Sequence, residues 1–138
     1  MDALSAAMKV ASSGLAAQSQ RLEVVSQNIA NAQSTSRVAG GEPYQRKTIT
    51  FTSALDQANA AQMVDVDKIG RDPSSFSAKF DPSSPGADAK GMVKMPNVNV
   101  LVEMADMRDA NRAYESNLQV MKQVQDMVTA TIDLMRGG

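Results

Sequence analysis

The sequence contains no cysteine, no histidine and no tryptophan, and only 4% of its 138 residues are aromatic. Without cysteine and histidine the chain has no disulfides, no thiolate nucleophile and none of the commonest zinc ligands. A serine nucleophile would have no histidine base, and no lysine stands three residues after a serine, which excludes the Ser-x-x-Lys arrangement. The composition therefore predicts a protein that is not an enzyme and that takes no cofactor, metal or small-molecule substrate.

The charges are balanced, with 14 Lys and Arg against 15 Asp and Glu. A net charge of -1 gives no basic surface for nucleic acid, so no nucleic-acid partner is expected. No stretch approaches the roughly 18–20 apolar residues that span a bilayer, and we expect no membrane insertion. The N-terminus lacks the basic lead and apolar core of a secretory signal, so export would use a route without a cleaved signal peptide.

The most regular pattern lies between Val100 and Met135, where seam positions recur at alternating steps of three and four. This spacing predicts a long helix with a heptad seam. The residues proposed for assembly on this seam are Met104, Met107, Asn111, Tyr114, Leu118, Met121, Val128 and Ile132. A partial second stripe from Val120 to Leu134 predicts more than one neighbour, and the opposite face carries charged residues that include Glu103.

The N-terminal 32 residues repeat the same heptad arithmetic and predict a second helix. Its proposed assembly seam comprises Leu4, Met8, Leu15, Leu22, Val25 and Ile29. The other faces hold mostly alanine, serine and glutamine, so we expect other helices to surround this one in a polymer; the alternative is a simple alanine-rich helix of good intrinsic propensity. Gly14, in mid-helix, is expected to permit either a close contact or a bend.

The heptad pattern is absent from Ser36 to Asn97, where glycine, proline, serine and aspartate are frequent. Residues 44–52 are rich in β-branched and aromatic side chains and predict a strand, and residues 63–69 alternate as a second short strand would. Residues 55–62 are expected to form a helical turn or a loop, and residues 81–100 a long loop that leads into the last helix.

The predicted fold is mainly α, with long N- and C-terminal heptad helices paired antiparallel as a coiled coil and a small β/loop insert between them. The predicted domains are residues 1–35, 36–97 and 98–138. Both helices would keep apolar or small-residue faces after pairing, which favours further association. Two outcomes are open: an open helical polymer, or a soluble coiled-coil adaptor that forms a closed oligomer and binds a partner through the insert.

Three blocks of the sequence resemble a known family. The run Ser13–Leu22, followed by a signature that includes Ser26, Asn28, Ile29 and Asn31, is similar to the N-terminal signature of flagellar rod and hook proteins; the alternative is that both asparagines only cap the helix end. Residues 87–97, and then residues 103–107 and 111–118, resemble the C-terminal region of proximal-rod members of that family.

The resemblance implies a structural subunit of the proximal rod of the bacterial flagellar basal body, which forms part of a torque-transmitting drive shaft. The implied partners are other proximal and distal rod subunits, the inner-membrane ring adaptor and the flagellar type III export apparatus. The implied location is the rod within the periplasm, reached without a cleaved signal peptide.

Overall fold

The computed structural model describes residues 3–56 and 61–137 and consists of two helices and four strands. In chain order these are α1 (Ala3–Ala30), β1 (Lys47–Asp56), β2 (Ala61–Arg71), β3 (Ser77–Phe80), β4 (Met92–Met95) and α2 (Val100–Gly137). The prediction of two long helices that flank a small β-containing insert is confirmed. No helix among the described residues is long and apolar enough to cross a membrane.

Local side chains form hydrogen bonds at the C-terminus of α1 and at the N-terminus of α2. After α1, the Asn31 amide nitrogen donates to the Gln27 carbonyl at 2.8 Å, and the Ser34 hydroxyl donates to Asn31 Oδ1 at 3.0 Å. Before α2, Asn99 Oδ1 accepts from the backbone N–H of Leu101 at 3.1 Å and of Val102 at 3.4 Å, as an N-cap residue does. The 38 residues of α2 make a rod of about 57 Å.

Strands β1 and β2 form one two-stranded sheet and confirm the two predicted strands. The predicted start of the first strand is wrong, because residues 44–46 lie before β1, which runs on to Asp56; β2 extends two residues beyond the prediction at each end. The expectation of a helical turn or loop over residues 55–62 is wrong at Leu55, Asp56, Ala61 and Gln62, which belong to the strands. The remaining four positions, 57–60, lie outside the described residues. Strand preference depends on pairing with a neighbour, so residues of weak strand propensity extend an established hairpin.

Strands β3 and β4 form a second, antiparallel sheet in which Ser77 lies opposite Met95 and Phe80 lies opposite Met92. The prediction of one long loop over residues 81–100 is wrong at β4. Gly91 makes the connection possible, because its φ of 78° suits glycine and a Cβ there would lie 2.9 Å from the Phe80 ring. β3 has only four residues, all of them exposed, so the alternation of its side chains is too short to predict a strand from the sequence.

The residues group into two compact units. The first combines residues up to 22, the described part of 50–68, and residues from 108 onwards; its buried side chains are small, namely Ala11, Ala17, Ala110 and Val124. In this unit a Cβ on Gly14 would lie 2.7 Å from the Asn117 side chain, which confirms the expected close contact. The Ser13 hydroxyl accepts a hydrogen bond from the Val64 N–H of β2 at 3.1 Å.

The second unit combines residues 23–49 and 69–107. Its buried apolar residues are Val24, Val25, Ala32 and Val93, and two polar residues, Asn28 and Glu103, are fully buried among them. Antiparallel coiled-coil pairing of the helices, and the division into residues 1–35, 36–97 and 98–138, stay predictions.

Candidate functional site

Asn28, in the last turns of α1, has every hydrogen-bonding position of its side-chain amide occupied. Its Oδ1 accepts from the Tyr44 hydroxyl at 2.7 Å and from the Lys47 N–H at 2.8 Å, and its Nδ2 donates to the Lys47 carbonyl at 2.9 Å and to Glu103 Oε2 at 3.3 Å. The amide thus pairs with both backbone groups of Lys47 as a neighbouring strand would. The helix-cap alternative therefore describes Asn31 but not Asn28.

Glu103, in the first turn of α2, is the second fully buried polar residue. Its Oε1 accepts a hydrogen bond and ion pair from Arg46 Nε, and Arg46 Nη1 in turn lies 3.3 Å from Asp72 Oδ2. The hydrogen bond to Glu103 is the main cause of a raised pKa for the Arg46 guanidinium, and Asp72 contributes further. Sequence reasoning placed Glu103 on the charged face opposite the seam, whereas Arg46 and Asn28 neutralise and bury it.

Asp72 and Asn97 bring two further segments to this place. Asn97 Oδ1 accepts from the Arg46 N–H at 2.7 Å, and Asn97 Nδ2 donates to the Asp72 carbonyl at 3.0 Å. The Asp72 N–H donates to the Arg46 carbonyl at 2.8 Å. Hydrogen bonds from Ser74, first from its backbone and then from its side chain, hold the pKa of Asp72 below its usual value.

We call these six residues the polar cluster: Asn28, Tyr44, Arg46, Asp72, Asn97 and Glu103. Burial raises the pKa of the Tyr44 hydroxyl, which stays a hydrogen-bond donor to Asn28 at physiological pH. Within the described chain no group of His, Cys, Asp or Glu has the arrangement of a metal site. The cluster has no activated nucleophile. Its hydrogen bonds join the end of α1, the start of α2 and the part of the insert that belongs to the second unit.

The predicted seam of α1 coincides only in part with the residues that the chain buries. Val25 is buried, and the other five seam residues, Leu4, Met8, Leu15, Leu22 and Ile29, are half-buried. The least exposed positions of α1 in the first unit are Ala11, which continues the same heptad spacing, and Gly14 and Ala17, which lie beside it. Of the family signature, Asn28 is buried, Ile29 and Asn31 are half-buried, and Ser26 is exposed.

The predicted seam of α2 is displaced by one residue from the buried line. Met107, Tyr114 and Met121 are half-buried, but the other seam residues, Met104, Asn111, Leu118, Val128 and Ile132, are exposed. The buried line of α2 consists of positions spaced seven residues apart: Glu103, Ala110, Asn117 and Val124. Asn117 is half-buried and the other three are buried. From Met104 to Met121, one of the two seam residues in each heptad of α2 is thus half-buried within a unit, and the other is exposed.

The second stripe of α2 is also exposed, except at Val124, which is buried. Val120 is 40% exposed, Met127 55% and Leu134 78%, and every described residue from Gln125 onwards is exposed. Two neighbouring apolar stripes therefore run along the outside of the helix. An exposed apolar surface of this extent is typical of a protein–protein interface.

Comparison with known proteins gives the same family from both ends of the chain. The family model described as flagella basal body rod protein matches residues 8–37, which include Asn28. The model described as flagellar basal body rod FlgEFG protein C-terminal matches residues 89–134, which include Glu103 and the α2 seam up to Ile132.

Curated relatives match over almost their whole lengths. The flagellar basal-body rod protein FlgC of Agrobacterium fabrum is 57% identical over 136 residues, which cover 99% of this chain and 98% of the relative. FlgC of Borreliella burgdorferi is 37% identical, with 97% and 99% covered, and FlgC of Bacillus subtilis is 36% identical, with 92% and 95% covered. The chain therefore belongs to the flagellar basal-body rod protein family.

Proposed function

We propose that this protein is a structural subunit of the proximal rod of the bacterial flagellar basal body and that it polymerises through its terminal helices. The observation that carries the proposal is the outward-facing half of the α2 seam, where Leu118 is 51% and Ile132 44% exposed, in a chain whose full-length relatives are basal-body rod proteins. Burying one such side chain contributes about 1.5–3 kcal/mol. Several together favour a stable contact with neighbouring subunits.

The assembly proposed here is an open one. A contact between different surfaces of successive subunits generates a helical filament whenever the rotation does not close, and a rod is such a filament. The proposed contact residues are the α2 seam together with the half-buried seam of α1, from Leu4 to Ile29. Apolar contacts between long helices resist shear, so the rod transmits torque mechanically and catalyses no reaction.

Within each subunit we propose that α1 and α2 pair antiparallel as a coiled coil. Two contacts support this pairing: Gly14 lies against Asn117 in the first unit, and Asn28 binds Glu103 in the second. The residue number rises along α1 while it falls along α2, as antiparallel pairing requires. The missing Cβ at Gly14 allows the close backbone approach of such a pair.

The proposed partners are proximal and distal rod subunits, the inner-membrane ring adaptor and the flagellar type III export apparatus. The proposed location is the rod within the periplasm. The names of the relatives support the rod assignment.

The experiment that tests this proposal is mass spectrometry of purified hook–basal bodies from the native bacterium, with a deletion strain as control. The proposal requires the chain in the wild-type particle and, in the deletion strain, no rod beyond the inner-membrane ring. A complete rod without this chain contradicts it. A fixed, closed oligomer in solution that is absent from the particle would establish the coiled-coil adaptor instead.

A further inference from the structure

We propose that Glu103 sets the register of α2 against α1, so that the polar cluster selects one of several helix alignments that the apolar seams alone would allow. The inference rests on the antiparallel pairing proposed above and extends it to a residue with a definite role. Glu103 is a positioning residue, because it acts on the alignment of the helices and not on any ligand.

The seams themselves discriminate poorly between registers seven residues apart. Positions 107, 114, 121 and 128 hold Met, Tyr, Met and Val, and positions 110, 117 and 124 hold Ala, Asn and Val. A shift by one heptad exchanges only uncharged side chains at these positions, and a buried polar group can fix the register of such a heptad seam.

Glu103 is such a group, because the buried line has no second carboxylate at its heptad equivalents. Its Oε1 binds Arg46 Nε and its Oε2 accepts from Asn28 Nδ2 at 3.3 Å, while its side chain is only 1% exposed. After a shift of one heptad, Ala110 would stand beside Asn28, and Arg46 would lose its carboxylate. Arg46, whose side chain is 27% exposed, would keep only Asp72, and the buried amide of Asn28 would lose one acceptor. A buried donor left without its acceptor costs free energy, so only one register satisfies all three residues.

The chain has the means to adopt the shifted register if the carboxylate moves. Asn99, the N-cap of α2, lies four residues before Glu103, and Asp106 lies four residues before Ala110. Aspartate is as good an N-cap as asparagine. The seven residues added to the connection after Asn97 cost little, since loop-closure free energy grows slowly with length.

The test uses the full-length chain, whose natural lack of cysteine leaves introduced pairs as the only thiols. The reporter for the observed register is Gly14→Cys with Asn117→Cys, because a Cβ at position 14 lies 2.9 Å from the Asn117 Cγ, close enough for a disulfide. The reporter for the shifted register is Gly14→Cys with Val124→Cys, combined with Asn117→Ala to remove the side chain that would contact Cys at position 14.

The decisive variant relocates the carboxylate by one heptad: Glu103→Ala with Ala110→Glu. We expect the cross-link to form with position 117 in the parent and with position 124 in the relocated variant. Retention of the position 117 cross-link in the relocated variant overturns the inference. Glu115→Ala, which removes an exposed glutamate from the same helix, is the matched control and should cross-link as the parent does.

Glu103→Leu keeps the inference testable if the relocated variant does not fold. Without any carboxylate the two registers should coexist, and both reporters should cross-link; cross-linking at position 117 alone contradicts the inference. A parent chain that fails to cross-link at position 117 overturns the antiparallel pairing, and the register inference falls with it. If the parent cross-links at position 117 and Glu103→Leu also cross-links there but not at position 124, the register inference alone is overturned.

Discussion

The side-chain amide of Asn28 binds both backbone groups of Lys47, accepting from its N–H at 2.8 Å and donating to its carbonyl at 2.9 Å. The first residue of β1 is therefore held by the end of α1, inside one compact unit. The same amide donates to the buried Glu103. One residue of the family signature thus links the N-terminal helix, the insert and the C-terminal helix.

Replacement of Asn28 should destabilise the second unit. Asn28→Ala leaves Tyr44 and both Lys47 backbone groups without their partner, and each unsatisfied buried group costs about 1–3 kcal/mol. The measurement is urea unfolding followed by tyrosine fluorescence in a Tyr114→Phe background, where Tyr44 is the remaining tyrosine. Ser26→Ala, two residues earlier and exposed, is the control; equal unfolding midpoints for the two variants would show that Asn28 is not a structural link.

Gly14 and Asn117 should behave as an interacting pair. Gly14→Val brings side-chain atoms against Asn117, whose nearest atoms would lie 2.7–2.9 Å from the new Cβ, and we expect a loss of about 1–3 kcal/mol in unfolding free energy. Asn117→Ala opens that space, so the double variant should recover most of the loss. A double-mutant cycle from chemical denaturation measures the coupling, and strictly additive effects would contradict a direct contact.

Acid should weaken the polar cluster through Asp72. Its folded-state pKa lies below the ordinary value of 3.8, so its contribution is present above that value and is lost as the pH falls through the folded-state pKa. The unfolding free energy of the wild-type chain should therefore fall as the pH is lowered through 3.8 and below. Asp72→Asn, which keeps the shape but cannot ionise, should flatten this fall, and an unchanged slope would exclude Asp72 as its source.

The helices and the first two strands were accessible from the sequence, because periodicity and β-branched runs are local properties. The polar cluster was not, because its partners are far apart in the chain: Asn28 and Glu103 are separated by 75 residues and Arg46 and Glu103 by 57. No local pattern distinguishes a glutamate that will be buried against an arginine from one that faces water.

Periodicity also could not show which residues of the two helices are buried. Heptad counting selects the bulky residues of a helix, such as Leu15 and Leu118, whereas the chain buries small ones, such as Ala17 and Ala110. Close helix approach favours small side chains, so the bulky residues stand to one side. That offset explains why α2 keeps an apolar stripe for other subunits.

A charge on this outward stripe should block assembly without unfolding the chain. Leu118 is 51% exposed in the subunit, so Leu118→Glu should alter the unfolding free energy by less than about 1 kcal/mol. In the rod the same glutamate would be buried without a partner, at a cost of several kcal/mol.

The control variant, Gln119→Glu, places the same charge on the adjacent exposed position, off the seam. We expect motility and rod assembly, assayed by swarming and by microscopy of basal bodies, to be lost for Leu118→Glu and kept for Gln119→Glu. Normal motility of the Leu118 variant, with the protein expressed at wild-type level, would mean that this stripe does not contact other subunits.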